Sequence, residues 1–238
     1  MVQQKPLFPE RFYFYTFNEI QVMSFLPVYY YFIVLSFLVS LMIYKAPRFS
    51  YLKLFPPFLL TTLAVEYVGS YLNYKGENNL YIYNFFSALE FSFYLILISL
   101  MVKSPRMKKG MVIASIAYAA VAFTNIIFIQ GMKTLHTVTY SLGCLAIVAA
   151  CFYYFYELFR QRNAIKLTRN PGFWICSGLL FFYCCGFPLY AFVNFWFRYK
   201  WMIQSFEDIV MILNIFLYSL FTIAFLCSRT RKFISSSS

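Results

Sequence analysis

Seven apolar stretches of about 20 residues, separated by short polar gaps, run through the 238-residue chain. They cover 25–44, 53–72, 80–102, 110–129, 135–159, 173–195 and 206–227. As helices rising about 1.5 Å per residue, stretches of this length cross about 30 Å of hydrocarbon. The short gaps make consecutive helices antiparallel neighbours. The pattern predicts an all-α fold, a seven-transmembrane-helix bundle that forms one membrane domain over 25–228. Residues 1–24, aromatic and mixed with Glu10, Arg11, Asn18, Glu19 and Gln21, read as an interfacial segment on the outer face. They lack the basic start and small-residue cleavage site of a secretory signal. Met23 leads directly through MSFLP into the first stretch, so Met1 and Met23 are both candidate starts. Residues 229–238 read as a basic, serine-ended cytoplasmic tail.

The basic residues give the bundle a direction. The first, third and fifth gaps hold Lys45, Arg48 and Lys53, then Lys103, Arg106, Lys108 and Lys109, then Arg160, Arg162, Lys166 and Arg169. The tail adds Arg229, Arg231 and Lys232, and only Lys5, Arg11, Lys75, Lys133, Arg198 and Lys200 fall on the other side. The positive-inside rule makes the rich side cytoplasmic, which puts the N-terminus outside a bacterial inner membrane and the C-terminus in the cytoplasm. Composition agrees: 62% of residues are hydrophobic and 12% charged, against roughly 25% charged in a soluble domain. A water-soluble core cannot hide this much apolar surface, so the lipid bilayer is the first partner. A net charge of +12 in a soluble protein would suggest nucleic acid. In short loops beside apolar helices it sets topology and meets anionic headgroups, and no nucleic-acid partner is expected.

Only eight residues are acidic, so each is informative. Glu157 ends the fifth stretch beside Arg160 and suggests a local ion pair. Glu207 and Asp208 open the seventh and suggest complements to its helix dipole. Glu66 and Glu90 differ, because each lies well inside an apolar stretch, about 20 Å from the cytoplasmic start and about 15 Å from the outer start respectively. A carboxylate at that depth is costly unless paired, hydrated or protonated, so both are expected to face the bundle interior. Helical spacing puts Thr62, Glu66, Ser70 and Asn73 on one stripe, Tyr83, Ser87, Glu90 and Tyr94 on a second, and Glu207, Asn214 and Tyr218 on a third. Asn125 lies in the outer half of the fourth stretch, and His136, the single histidine, opens the fifth. These groups predict a polar pocket open to the outside, with Glu66, Glu90, Asn125, Asn214, Tyr94 and His136 as ligand- or proton-binding residues. The alternative is that the Asn, Ser and Tyr side chains bond one another and set helix packing.

Other chemistries fit poorly. A retinal-type Schiff base needs a lysine inside a helix, and every lysine falls in a loop or at the end of a stretch. A multi-histidine zinc site needs several imidazoles, so Glu66, Glu90 and His136 would make an unusual metal set. His136 could act as a base for a Ser or Cys nucleophile, but no G-x-S-x-G elbow occurs. The six cysteines, Cys144, Cys151, Cys176, Cys184, Cys185 and Cys227, show no metal-ligand spacing and read as small polarizable core residues. No catalytic residue, metal or cofactor is expected. Pro56 and Pro57 mark the start of the second helix, and Pro188 with Gly186 predicts a kink in the sixth. A gap-free register pairing Pro47 with Pro171 also pairs Phe49 with Phe173, Glu90 with Asn214 and Tyr94 with Tyr218. It suggests a parallel 3+1+3 repeat, a known transporter plan.

The strings LYIYNFFSALEFSFY (80–94), FWICSGLLFFY (173–183) and ILNIFLYSLFTIAFLCSRTRK (212–232) resemble those of small seven-helix membrane proteins of Bacteroidota-type bacteria. The resemblance covers most of the chain from the second helix onward. It implies a signalling setting, beside sensor kinases or response regulators, and carries over no site residue. Together these observations lead to a ligand-sensing or signal-relay membrane module. A small molecule or proton would enter the outer pocket, and a cytoplasmic or membrane partner would read the change. A small-solute or proton-coupled transporter is the alternative, with an integral-membrane enzyme third.

Overall fold

The computed structural model describes residues 26–44, 49–129, 131, 136–161, 167–193 and 200–229. Among them are seven α-helices and no strand: α1 (Tyr29–Tyr44), α2 (Phe55–Tyr74), α3 (Leu80–Met101), α4 (Pro105–Thr124), α5 (Thr137–Phe159), α6 (Pro171–Ala191) and α7 (Lys200–Arg229). The expected interfacial segment 1–24 and the tail beyond Arg229 lie outside the described residues.

Five of these helices are long and apolar enough to cross a membrane: α3, α4 with its continuation to Ile129, α5, α6, and Gln204–Ser228 within α7. They mark a polytopic integral membrane protein. Two predicted spans fall short by that measure. α1 has 16 residues, about 24 Å of helix. α2 has 20 residues but carries Thr61, Thr62, Glu66, Ser70 and Asn73, which dilute its apolar character.

Helix starts differ most from expectation where charges sit on a first turn. α4 begins at Pro105 instead of 110, because hydropathy excludes Arg106, Lys108 and Lys109 while helix geometry does not. Proline is well placed there, since first-turn amides have no intrahelical partner, and Pro56 and Pro57 occupy the same kind of position in α2. α7 begins at Lys200 with no acid in its first turn. Glu207 and Asp208 therefore lie about two turns inside it and are not dipole complements; Asp208 instead accepts from Gln204 Nε2 at 3.2 Å. Pro188 falls in the last turn of α6, so the break it imposes is at the helix end and not within the span. α4 runs on into a π turn over Asn125–Ile129.

The connections are tight. At the end of α2, Gly76 adopts φ +73°, the left-handed conformation that glycine tolerates best. Gly76 N–H donates to Asn73 O and Glu77 N–H to Leu72 O, both at 2.9 Å, closing a Schellman motif that turns the chain into α3. At the opposite end of the bundle, Glu157 of α5 accepts from the backbone N–H of Lys103 at 2.6 Å and of Ser104 at 3.0 Å. Arg160 donates to Tyr156 Oη at 2.8 Å, so the expected Glu157–Arg160 pair is replaced. Two backbone amides held at fixed spacing suit a carboxylate better than a long, solvated side chain. The staple fixes α5 to the α3–α4 connection.

The helices close into a ring. α1 packs on α2, α2 on α3, α3 on α5, α5 on α6, α6 on α7, and α7 back on α1. α4 stands outside, against α3 and α5, and buries the smallest share of its length among the five apolar helices. Exposed Leu35, Leu38 and Met42 of α1, Ile113 and Ile116 of α4, and Leu142, Leu145 and Phe152 of α5 form the apolar outside.

The interior has two unlike halves. Toward the α3–α4 end it is filled with rings. Phe55 lies edge-on to Phe221 and Phe225 at 5.2 and 5.0 Å between centroids, and Phe58 stacks on Phe93 at 3.9 Å. Such aromatic packing buries large areas and leaves little room. Toward the α2–α3 end the core is lined by Tyr29, Tyr83, Tyr140, Tyr190 and the two glutamates, with Phe86 and Phe206 among them.

Candidate functional site

Glu66 sits on α2 where three helices meet. Tyr29 of α1 donates to its Oε2 at 2.7 Å, and Tyr83 of α3 donates to the same oxygen at 3.3 Å. Tyr83 reaches it because Gly69 lies one turn along α2. A Cβ at that glycine would run into the Tyr83 hydroxyl oxygen and stand 2.7 Å from the ring carbon bearing it. Asn79 Nδ2 donates to the Gly69 carbonyl at 3.1 Å and holds the two helices at this spacing.

This arrangement predicts a coupled effect. Gly69→Ala leaves the fold intact, because the displaced group is the far end of a side chain, but lifts Tyr83 off Glu66. Tyr83→Phe alone costs about 1–3 kcal/mol, the cost of leaving a buried polar group without its partner. On the Gly69→Ala background the same change should cost a fraction of that. A double-mutant cycle on thermal unfolding measures the difference, and equal costs on both backgrounds would contradict the geometry.

Glu90 lies deeper, near the middle of α3, and faces the interior of the ring. It is within electrostatic reach of Tyr94, Tyr140, Tyr183, Tyr190 and Tyr218, and of Glu66. These groups come from α2, α3, α5, α6 and α7. Tyr94 and Tyr183 are completely buried, with ring centroids 6.0 Å apart at 67°. Both hydroxyls lie beside the Glu90 carboxylate, yet neither closes a hydrogen bond of ordinary geometry, and both remain without a partner. A buried unpaired hydroxyl costs about 1–3 kcal/mol, so such a pair calls for an explanation. Glu90 keeps accessible surface despite its depth. Tyr140 and Tyr190 pack at 4.0 Å between centroids on the α2–α3 side of this level.

The other predicted residues gather elsewhere. His136 precedes α5 and is buried; its Nε2 lies 3.0 Å from the Asn84 carbonyl and 3.1 Å from Ser87 Oγ. Asn125 opens the π turn after α4 and donates to Thr139 Oγ1 at 3.2 Å. Tyr118 Oη donates to the Thr139 carbonyl at 3.3 Å. This knot ties α3, α4 and α5 together, which is the packing role that interhelical polar groups play in lipid. A carbonyl facing Nε2 fixes the proton on that nitrogen, so His136 is not set up as a base toward Ser87. Asn214 donates back to Val210 O of its own helix at 2.9 Å. Glu66, Glu90 and Tyr94 thus come together, while Asn125 and His136 form a separate cluster and Asn214 bonds locally. Among the described residues no group of three or more His, Cys, Asp or Glu side chains could hold a metal ion.

The residues missed from sequence are tyrosines: Tyr29, Tyr140, Tyr183 and Tyr190. The available signal was their position. That signal holds for Tyr183, a phenol well inside α6 that needs a polar partner; Tyr29, Tyr140 and Tyr190 lie within about a turn of a helix end, where a headgroup position explains a tyrosine equally well.

Comparison with protein-family models, with curated proteins and with solved structures finds no match to this chain. The site is therefore read from its own geometry.

Proposed function

We propose that this chain is a seven-span membrane protein that senses a small solute in a chamber around Glu90. The chamber opens at the α2–α3 end, on the outer side, and α1 and α2 complete the set of spans. Lys53, Lys103, Arg106, Lys108, Lys109, Arg160, Arg169 and Arg229 all lie toward the α3–α4 end, which supports a cytoplasmic position for it. The observation that carries the sensing role is the division of the interior. A tyrosine- and carboxylate-lined half faces one end, and a packed phenylalanine plug formed by Phe55, Phe58, Phe93, Phe221 and Phe225 fills the other. Such a chamber admits a ligand from one side, and the ring cluster stands between it and the other end. Occupancy would bias helices that meet at Glu66 and Glu90, and a membrane or cytoplasmic partner would read the basic loops.

One observation favours transport as a second reading. The contacts α1–α2, α2–α3 and α3–α5 are repeated by α5–α6, α6–α7 and α7–α1, with α4 outside. That order is what a parallel 3+1+3 repeat requires.

Cysteine accessibility separates the two. In a variant with its six native cysteines replaced by alanine, Glu90→Cys is treated with a membrane-impermeant cationic methanethiosulfonate on vesicles of known orientation. Sensing predicts labelling from the outer side alone. Labelling from both sides favours transport, and labelling from neither side rejects the chamber.

A further inference from the structure

We propose that His136 is a proton-operated latch between α3 and α5 at the α2–α3 end of the bundle. Its cluster is separate from the surroundings of Glu90, and the latch does not depend on the chamber reading. The imidazole is held from one side only. Its Nε2 lies 3.0 Å from the Asn84 carbonyl and 3.1 Å from Ser87 Oγ. Ser87 Oγ donates its own proton to that carbonyl at 3.0 Å, so both contacts ask Nε2 to carry a proton. Nδ1 is buried and has no hydrogen-bond partner, and it is the atom where a second proton must go.

That second proton is costly while the ring stays in place. The new N–H meets no acceptor and the charge meets no counter-charge. The ring is 1% exposed, and Asn84, Ser87, Asn125 and Thr139 of the same knot are buried with it. The titratable side chains on the elements packed against it are Tyr83 and Glu90 of α3, Tyr118 of α4 and Tyr140 of α5. Tyr83 serves Glu66, Tyr118 serves the Thr139 carbonyl, Tyr140 packs on Tyr190, and Glu90 lies beside Tyr94 and Tyr183. Among the described residues none is an electrostatic partner of the imidazole. Burial alone lowers its pKa, to about 4.

The ring can leave without breaking a helix. His136 stands one residue before α5 with φ −83° and ψ 68°, outside the spanning helix. Its carbonyl accepts from Tyr140 N–H at 3.0 Å, a bond that closes the first turn of α5 with the ring in or out. Release therefore parts this end of α5 from α3, while Glu157 keeps the far end stapled to the α3–α4 connection. The direction follows from linkage. The released imidazole takes its proton near pH 6.5 and the latched one near pH 4. Above that window the latch is fully in place. Within it each unit of acidification weakens the latch by close to tenfold, and below it nothing more is lost.

The test uses the chain in nanodiscs, with its six native cysteines replaced by alanine and spin labels at Tyr81→Cys of α3 and Val138→Cys of α5, both exposed positions. Dipolar electron resonance reads the distance between the labels from about pH 7.5 to about pH 4.5. A second, longer distance is expected to gain population on acidification along a one-proton curve, by at least about tenfold. His136→Gln, whose amide can donate to the same carbonyl and does not titrate, should keep the short distance throughout. His136→Ala should show the longer one at every pH. Hydrogen exchange over the first turns of α5 in the unmodified protein, corrected for the intrinsic effect of pH, gives the same reading without any substitution. Distances and exchange protection that do not change with pH overturn the latch. So does an acid response that survives in His136→Gln, which would belong to another group.

Discussion

Glu90→Met is expected to make the protein more stable and to abolish its binding of the chamber ligand. The two effects have one cause. Glu90 is a carboxyl group held deep in the ring among Tyr94, Tyr183 and Tyr218, with no protein partner of ordinary hydrogen-bond geometry. In the unliganded fold its burial is a net cost. Methionine has similar length and no polar atom to desolvate, and its flexible thioether adapts to the aromatic walls. Replacing even a buried ion pair by well-packed apolar groups of like volume is often neutral or stabilising by about 1–4 kcal/mol, and a carboxyl group without a counter-charge has less attraction to lose. Here the gain should be about 1–3 kcal/mol, seen as a higher midpoint of thermal unfolding in detergent. A residue retained against its own stability cost is the signature of a functional group. If Glu90 instead served packing, as a member of a satisfied network, Glu90→Met would lower the midpoint. That outcome would remove the main support for the chamber.

Much of the fold was legible because it depends on local pattern. The predicted and observed bounds of the third helix, 80–102 against Leu80–Met101, and of the fifth, 135–159 against Thr137–Phe159, nearly coincide. Starts were misplaced where charges ride on a helical first turn, at Arg106, Lys108 and Lys109 of α4 and from Lys200 to Asp208 of α7. Hydropathy reads the solvent around a residue, and helix geometry is indifferent to it. Glu66 and Glu90 stood out for the same local reason, as charges inside apolar runs.

The surroundings of Glu90 were not legible, because they depend on which helices are neighbours. α4 follows α3 in sequence yet stands outside the ring, so α3 meets α5 directly. Only that non-local fact brings α5 and α6 beside Glu90, with Tyr183 at its level and Tyr140 on its α2–α3 side. Depth along a helix comes from counting residues; the direction each side chain faces across the bundle does not. Asn125 and His136 illustrate the difference. Both lie at the expected ends of their helices, yet both turn toward the α3–α5 seam and bond Thr139, Asn84 and Ser87. Tyrosine adds its own ambiguity, since the same residue suits a headgroup layer and a polar core, and the chain has 22 of them.

Gly143→Ala is expected to be among the most destabilising single-methyl additions to the bundle, at about 2–3 kcal/mol. Gly143 is on α5 where it crosses α3. A Cβ there would stand 2.7 Å from two carbons of the Phe91 ring and 2.9 Å from a third, well inside ordinary carbon contact of about 3.5–4.0 Å. Unlike the Tyr83 hydroxyl over Gly69, the obstructed atoms include the root of the ring, so rotation of the side-chain tip gives no relief. Phe91 is fully buried and held by Tyr118 at 5.4 Å, Tyr140 at 5.1 Å and Tyr183 at 5.2 Å between centroids. The clash must therefore be relieved by moving α3 away from α5, which also shifts the adjacent Glu90. Stability and site geometry are coupled here, and Gly143→Ala should both lower the unfolding midpoint and change the rate at which Glu90→Cys is labelled. Phe91→Leu supplies the control. Alone it destabilises by leaving a cavity, but combined with Gly143→Ala it makes room for the methyl group, and the double variant should lose less than the sum of the two. Strict additivity, or a Gly143→Ala protein within about 0.5 kcal/mol of the parent, would show that α3 and α5 do not approach as closely at Glu90 as the ring requires.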